Sequence, residues 1–405
     1  MQVTGNKSNG NQIAGMMQGN NSIRCSYAFL CCPVTSYPPT PLNMEQLFTT
    51  LHTFNQRMNS PQPPVSSPHS KPRIGITLGD INGIGPEVVI KALSDPRILT
   101  MITPVIYGSS RVLSYYRKLM GLEDLNYSTV KTKGQFFPKA INIVNCWEEE
   151  IRITPGQPSK EGGHAALLSL KRAVEEIKEN LIDGFVTAPI DKNTIYGDDF
   201  PFRGHTEFLT QTFEATESLM LMVGDSLKVG LVTEHLPLKD VSKHITKERV
   251  ELKIRLLELS LKKDFQILKP KIAVLGLNPH AGDEGLIGDE ENLVIKPVIN
   301  DLKSKGKLVF GPFPADGFFG SGQHKKYDGI IAMYHDQGLI PFKYIDFENG
   351  VNFTAGLPTV RTSPDHGTAY SISGKNLADE SSLRQAIFLA TDIIKNRANQ
   401  TVSSL

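Results

Sequence analysis

The stretch RIGITLGDINGIGPEVVIKALSD, residues 73–95, decides the fold. Ile74, Ile76 and Leu78 make its opening a short apolar strand, and GDINGIG then breaks the extended run. Pro86 suits the first turn of a helix, Glu87 complements the positive helix end, and the run through Leu93 is helical. A strand that turns directly into a helix is the repeating unit of an α/β protein. The alternation recurs: ITPVIYGS then SRVLSYYRKLMG, and HAALLSLKRAVEEIKENL then DGFVTAPI and LKVGLVTEH. KERVELKIRLLELSLKKDF reads as a long helix, followed by the strands PKIAVLGLNPH and YDGIIAMYH. Short apolar strands separated by helices imply an α/β fold with largely parallel pairing. No internal repeat is visible.

The 405 residues are enough for two packed lobes at about 100 to 200 residues per domain. Hydrophobic residues make up 40%, charged residues 21%, and the formal net charge is +1. There is no basic excess to hold nucleic acid. No apolar run approaches the roughly 18 to 20 residues that span a bilayer, so no membrane is expected. Residues 1–70 differ from the rest, being rich in Asn, Gly, Gln, Ser and Pro and ending in SPQPPVSSPHSKP. They read as a disordered extension, or as a start set too far upstream, given Met44 and Met58. SYAFLCCPV imitates a signal peptide only weakly, with Arg24 alone ahead of it. Cys25, Cys31, Cys32 and Cys146 form neither a zinc framework nor a disulfide set, which points to a reduced, cytoplasmic location.

Three apolar strands end in histidine: VGLVTEH at His235, IAVLGLNPH at His280 and IIAMYH at His335. In open α/β sheets the carboxyl ends of strands line the ligand crevice. Any one of these rings alone reads as a strand-end histidine meeting a backbone carbonyl. The threefold recurrence favours a divalent-metal site with positions left for water or substrate. Gly83 and Gly85 either form a tight turn or let the backbone approach a ligand. Neither the G-x-G-x-x-G fingerprint nor a G-x-x-x-x-G-K-[ST] phosphate loop occurs, so a nucleotide would bind by another device. In FRGHTEFL, His205 and Thr206 offer a titratable ring and a hydroxyl, unless Thr206 simply caps a helix. Lys343, Asn352 and Arg361, nine apart across segments broken by Gly350, Gly356 and Pro358, can converge on a phosphate or carboxylate. Lys343 is expected on the loop that follows His335. Asp336 is expected to orient a neighbouring group. DHGTAYSISGK is a polar loop able to wrap a ligand, or an ordinary surface loop. His52, His69, His164, His244 and His324 carry no partner pattern, with His244 and His324 in hydrophilic surroundings.

Taken in order, TLGDINGIGPEV, TAPIDK, GHTEFL, HLPLKDV, LNPHAG, GPFPADGFF, YHDQGLIPFK, GVNFTAGLP and RTSPDHGTAYSISGK resemble the 4-hydroxythreonine-4-phosphate dehydrogenase family. The resemblance runs from about residue 72 to 405 and implies the two-lobed, non-Rossmann fold of isocitrate and isopropylmalate dehydrogenases. It implies divalent-metal ligation by His235, His280 and His335, with zinc, cobalt, manganese or magnesium as the ion. Substrate contacts are implied at His205, Thr206, Lys343, Asn352 and Arg361. It further implies a catalytic role for His205, a site aspartate at Asp316, and NAD contact at His366, Gly367 and Thr368. The implied assembly is a homodimer whose sites draw ligands from both subunits. The implied reaction is oxidation and decarboxylation of a small phosphorylated substrate, 4-(phosphooxy)-L-threonine, in pyridoxal phosphate biosynthesis. A phosphorylated sugar acid such as threonate or erythronate 4-phosphate is the nearest alternative. A metal-dependent phosphate-ester hydrolase, a phosphotransferase and a binding protein stand further off. Ile81 and Asn82 stand where many members read Pro-Ala, and DEGLIGDEE replaces a commoner glycine-histidine version.

Overall fold

The computed structural model describes residues 71–202 and 204–403, with the side chains of 401–403 excepted. The extension 1–70, with its signal-like segment and Cys25, Cys31, Cys32, His52 and His69, lies outside the described residues.

The strands are β1 (Arg73–Thr77), β2 (Thr103–Gly108), β3 (Tyr127–Thr129), β4 (Ile141–Asn145), β5 (Gly184–Thr187) and β6 (Leu219–Val223). They continue with β7 (Lys228–Leu231), β8 (Ile272–Leu275), β9 (Val309–Phe313), β10 (Gly329–Ala332), β11 (Val351–Ala355) and β12 (Arg361–Pro364). All belong to one sheet in the order β3-β4-β2-β1-β5-β12-β11-β6-β7-β10-β8-β9. The pairing is parallel on both flanks, as the strand–helix alternation requires. Antiparallel pairing occurs where β11 meets β12 and β6, and where β6 meets β7. β11 and β12 sit near the middle of the sheet, although their sequence reads as segments broken by glycine and proline. Each pairs with the other and takes its second partner, β6 or β5, from far away in the chain, so a short strand there has little local signature.

Helices cover the sheet. In helix Lys247–Lys263, Thr246 caps the start by accepting from the Arg249 N–H, and Val250, Ile254, Leu257 and Leu261 form one buried stripe. Each such side chain contributes about 1.5–3 kcal/mol by leaving water. Helix Lys160–Lys178 is likewise capped, by Ser159 accepting from the Gly162 N–H. Among the described residues, no helix is long and apolar enough to cross a membrane.

Candidate active site

β7, β10 and β8 are parallel neighbours, so their carboxyl ends share one edge of the sheet. His235 and His335 lie just beyond β7 and β10, with ring centroids 5.4 Å apart and planes inclined by 43°. Thr233 fastens the two exits, because its N–H and its hydroxyl both donate to the Met333 carbonyl, at 3.1 and 2.7 Å. His335 Nδ1 donates to Asp336 Oδ1 at 2.7 Å, which leaves Nε2 free to ligate. Burial, followed by the charges of Lys192 and His335, pushes His235 down to about 4, so it is neutral and a competent ligand at neutral pH. His280 follows β8 but is exposed and does not join the pair. Among the described residues no three His, Cys, Asp or Glu side chains come together around one point. One chain therefore supplies two of the three strand-end imidazoles to a common place. The segment after His335 is helix His335–Asp346 with Pro341 inside it, not a loop, and Lys343 projects from that helix.

A second group lies on β11 and β12. Asn352 pairs with Ser363, two residues from Arg361, so Asn352, Thr354 and Arg361 project from one face. Arg361 is 3% exposed. Its Nε and Nη2 donate to Thr187 Oγ1 at 3.0 and 2.6 Å, and its Nη1 donates to Thr354 Oγ1 at 3.0 Å. Hydroxyls carry no charge, and burial alone lowers Arg361 to about 9, with no carboxylate opposing it among the described residues. A buried cation left without a counter-charge is costly unless a ligand brings an anion. His205 opens helix His205–Thr212, and the cap position is Gly204, not Thr206. Burial, then Arg361 and Lys192, hold His205 well below the usual histidine range. His205 Nε2 and Asn352 Oδ1 are both buried with no hydrogen-bond partner. A hydrogen-bonded cation without a counter-charge, and a neutral ring nitrogen and an amide oxygen without partners, are what a small anionic ligand with hydroxyl or amine groups would satisfy.

Lys343 Nζ lies 3.3 Å from Asp365 Oδ2. Burial raises Asp365, against the charges of Lys343, His366 and His335. Asp365 therefore stands among Lys343, His366 and His335. Its signal was its place in SPDHGTAY, directly before His366. His366 Nδ1 bonds the Gly367 carbonyl at 3.1 Å, and its Nε2 is buried without a partner. Burial lowers the His366 pKa.

The GDINGIGPE turn approaches this loop and its own chain, not a ligand directly. A Cβ on Gly83 would meet the Thr368 carbonyl oxygen at 2.9 Å, and one on Gly85 the Leu78 carbonyl oxygen at 2.2 Å. Ile84 N–H donates to the Thr368 carbonyl at 2.9 Å, and Glu87 accepts from the Gly374 N–H. Tyr370 adds its hydroxyl, 2.8 Å from Asp80 Oδ2 and 3.2 Å from Asp191 Oδ2. Asn82 accepts from Thr154 N–H at 2.8 Å and donates to Ser159 Oγ at 3.1 Å. Its role is to fasten the turn. Asp316 is exposed on helix Ala315–Gly320 and makes no hydrogen bond or ion pair among the described residues. His324, in a hydrophilic stretch, is nevertheless buried, its ring 5.8 Å from that of Phe319.

Imidazoles at adjacent strand exits and a buried arginine with no carboxylate opposing it among the described residues are features that suit an α/β enzyme acting on a small anion. Residues 100–390 match the family described as pyridoxal phosphate biosynthetic protein PdxA. The chain is 49% identical over 332 residues to the 4-hydroxythreonine-4-phosphate dehydrogenase of Bacteroides thetaiotaomicron, covering 82% of this chain and 91% of that one. It is 35% identical to a protein of Symbiobacterium thermophilum provisionally named a D-threonate 4-phosphate dehydrogenase, covering 78% and 95%. The crystal structure of 4-hydroxythreonine-4-phosphate dehydrogenase from Klebsiella pneumoniae matches with TM-score 0.69 at 33% identity, covering 81% of this chain and 99% of that one. The chain belongs to the PdxA family, and it is a dehydrogenase of that family.

Proposed function

We propose that this chain oxidises 4-(phosphooxy)-L-threonine with NAD⁺ and a divalent metal ion, and that the β-keto acid formed loses CO₂ to give 3-amino-2-oxopropyl phosphate. The reading rests most on Arg361, a buried guanidinium with only hydroxyl partners beside the unpartnered atoms of His205 and Asn352. The donors suit a divalent ion, since His235 is neutral near pH 7 and His335 has Nδ1 engaged. His235 and His335 of one chain would hold the ion together with His280 of a second copy. The ion would supply Lewis acidity toward the substrate hydroxyl and the developing enolate, and NAD⁺ would supply the hydride acceptor.

The chain's own residues do the rest. Arg361 and Lys343 bind the anionic ends, and Arg361 offers planar, bidentate geometry. Asn352 Oδ1 accepts from a substrate hydroxyl or ammonium. Neutral His205 either accepts the hydroxyl proton at Nε2 or holds that hydroxyl by a hydrogen bond, with Thr206 beside it. His366, Gly367 and Thr368 contact the cofactor on a loop braced by the GDINGIGPE turn. Asp316 remains on the surface of one chain, available to a partner's site.

The test is NADH formation from 4-(phosphooxy)-L-threonine, with threonate 4-phosphate in parallel, before and after treatment with a chelator. Turnover of the amino substrate, lost on chelation and restored by cobalt or zinc, is expected. Turnover of the sugar acid alone would transfer the same chemistry to that substrate. Phosphate release without NADH would replace the dehydrogenase with a hydrolase.

A further inference from the structure

The turn that carries His280 has an unusual backbone. His280, Ala281, Gly282, Asp283 and Glu284 all have positive φ, at 55°, 52°, 81°, 42° and 60°. Four of the five carry side chains, which disfavour the left-handed region, so surrounding contacts must impose the turn. Glu291 supplies them. Its carboxylate is buried, and Oε1 accepts from the Leu277 and Asn278 N–H groups at 2.7 and 2.8 Å. Oε2 accepts from Asn278 Nδ2 at 3.0 Å, and a Cβ on Gly282 would lie only 2.6 Å from it. The carboxylate therefore fills the concave side of the turn.

The same loop is tied from the other side by Gln337, two residues into the helix that His335 begins. Gln337 Nε2 donates to the Gly276 carbonyl at 2.6 Å, and its Oε1 accepts from the Met333 N–H at 2.7 Å. The amide thus spans the exits of β8 and β10. We propose that Glu291 and Gln337 are positioning residues that lock the left-handed His280 turn to the His335 helix. Each chain then presents His280 at a fixed offset from its own His235–His335 pair. The inference rests on the metal reading above. With His280 serving the partner's centre, the lock also sets the spacing between the two centres of a dimer.

The test uses Glu291→Gln and Gln337→Met in the full-length protein. Glutamine turns an N–H toward the Asn278 amide, and methionine keeps the length of Gln337 while removing both hydrogen bonds. Amide hydrogen exchange over residues 276–285 and cobalt(II) affinity, with its absorption spectrum, are measured on the purified assembly. Exchange should accelerate at Leu277 and Asn278 in Glu291→Gln, with cobalt affinity about 10- to 100-fold weaker and an altered spectrum. Gln337→Met should weaken cobalt binding in the same direction with the assembly intact. Should Glu291→Gln fail to fold, Gln337→Met decides alone. Variants that lose only thermal stability and bind cobalt as the wild type does would overturn the positioning role while leaving the metal reading standing. A wild-type protein that bound no cobalt would overturn both.

Discussion

At the scale of single residues, Arg361 carries the clearest consequence. Among the described residues its guanidinium meets three hydroxyl bonds and no carboxylate, a cost to the fold that the proposed anionic substrate would offset. Arg361→Met should leave the melting temperature unchanged or higher, while KM for the phosphorylated substrate rises about ten- to a hundredfold, as loss of a charged hydrogen bond implies. A variant less stable yet kinetically normal would make Arg361 structural. His205 gives a pH signature. Its folded pKa lies well below the ordinary value of about 6.5, so the native state binds fewer protons than the unfolded one. That stability is fully present above about pH 6.5 and is lost as pH falls toward the folded value. Calorimetric scans between about pH 7 and 5 should therefore show falling stability, with a shallower slope in His205→Gln. An identical slope in the variant would remove His205 as a source. The imidazoles were legible because each ends an apolar run. The partners of Arg361 were not, since Thr187 lies 174 residues away and meets it only through the β5–β12 pairing.

At the scale of elements, strand–helix alternation was readable because each segment carries its own hydrophobic period. The helix Lys247–Lys263 and the turn into Gly85–Leu93 came out as read. The segment His335–Asp346 did not, because Gly338 and Pro341 are weak helix formers and suggested a loop. The left-handed turn at His280 has no sequence signature beyond Gly282, since its shape comes from Glu291, outside the turn. The GDINGIGPE turn makes a separable prediction. Gly83 needs no positive φ, so alanine is opposed there by Thr368, whose carbonyl oxygen and Cβ lie 2.9 and 3.0 Å from the added carbon. Gly83→Ala should therefore push the 366–370 loop away, raising the apparent KM for NAD⁺ severalfold while cobalt affinity stays at the wild-type value. A loss of cobalt affinity with unchanged cofactor KM would break the proposed link between this turn, the 366–370 loop and the cofactor.

At the scale of the whole molecule, exposed apolar side chains lie on the helix that His335 begins and on the segment after the His280 turn. Ile340, Tyr344 and Phe347 recur along one face of the helix that His335 begins and are 67%, 91% and 68% exposed. Leu286 and Leu293, which follow the His280 turn, are 83% and 64% exposed. Exposed apolar side chains on these two elements would suit an association surface. A second copy covering them would also bring its own His280 to the His235–His335 pair, as a two-fold interface requires of each partner. His280 was legible as a strand-end histidine, but among the described residues of one chain it joins no group of three possible ligands. Subunit mixing tests the arrangement directly. His280→Ala and His335→Ala should each be inactive alone. In a hybrid, the His280→Ala chain keeps His235 and His335 and receives an intact His280 from its partner, which rebuilds one centre of the two. Random re-association makes half the dimers hybrid, so about a quarter of wild-type activity and of tight cobalt sites should return. If all three histidines met within one chain, neither subunit of the hybrid could hold the ion and mixing would restore nothing.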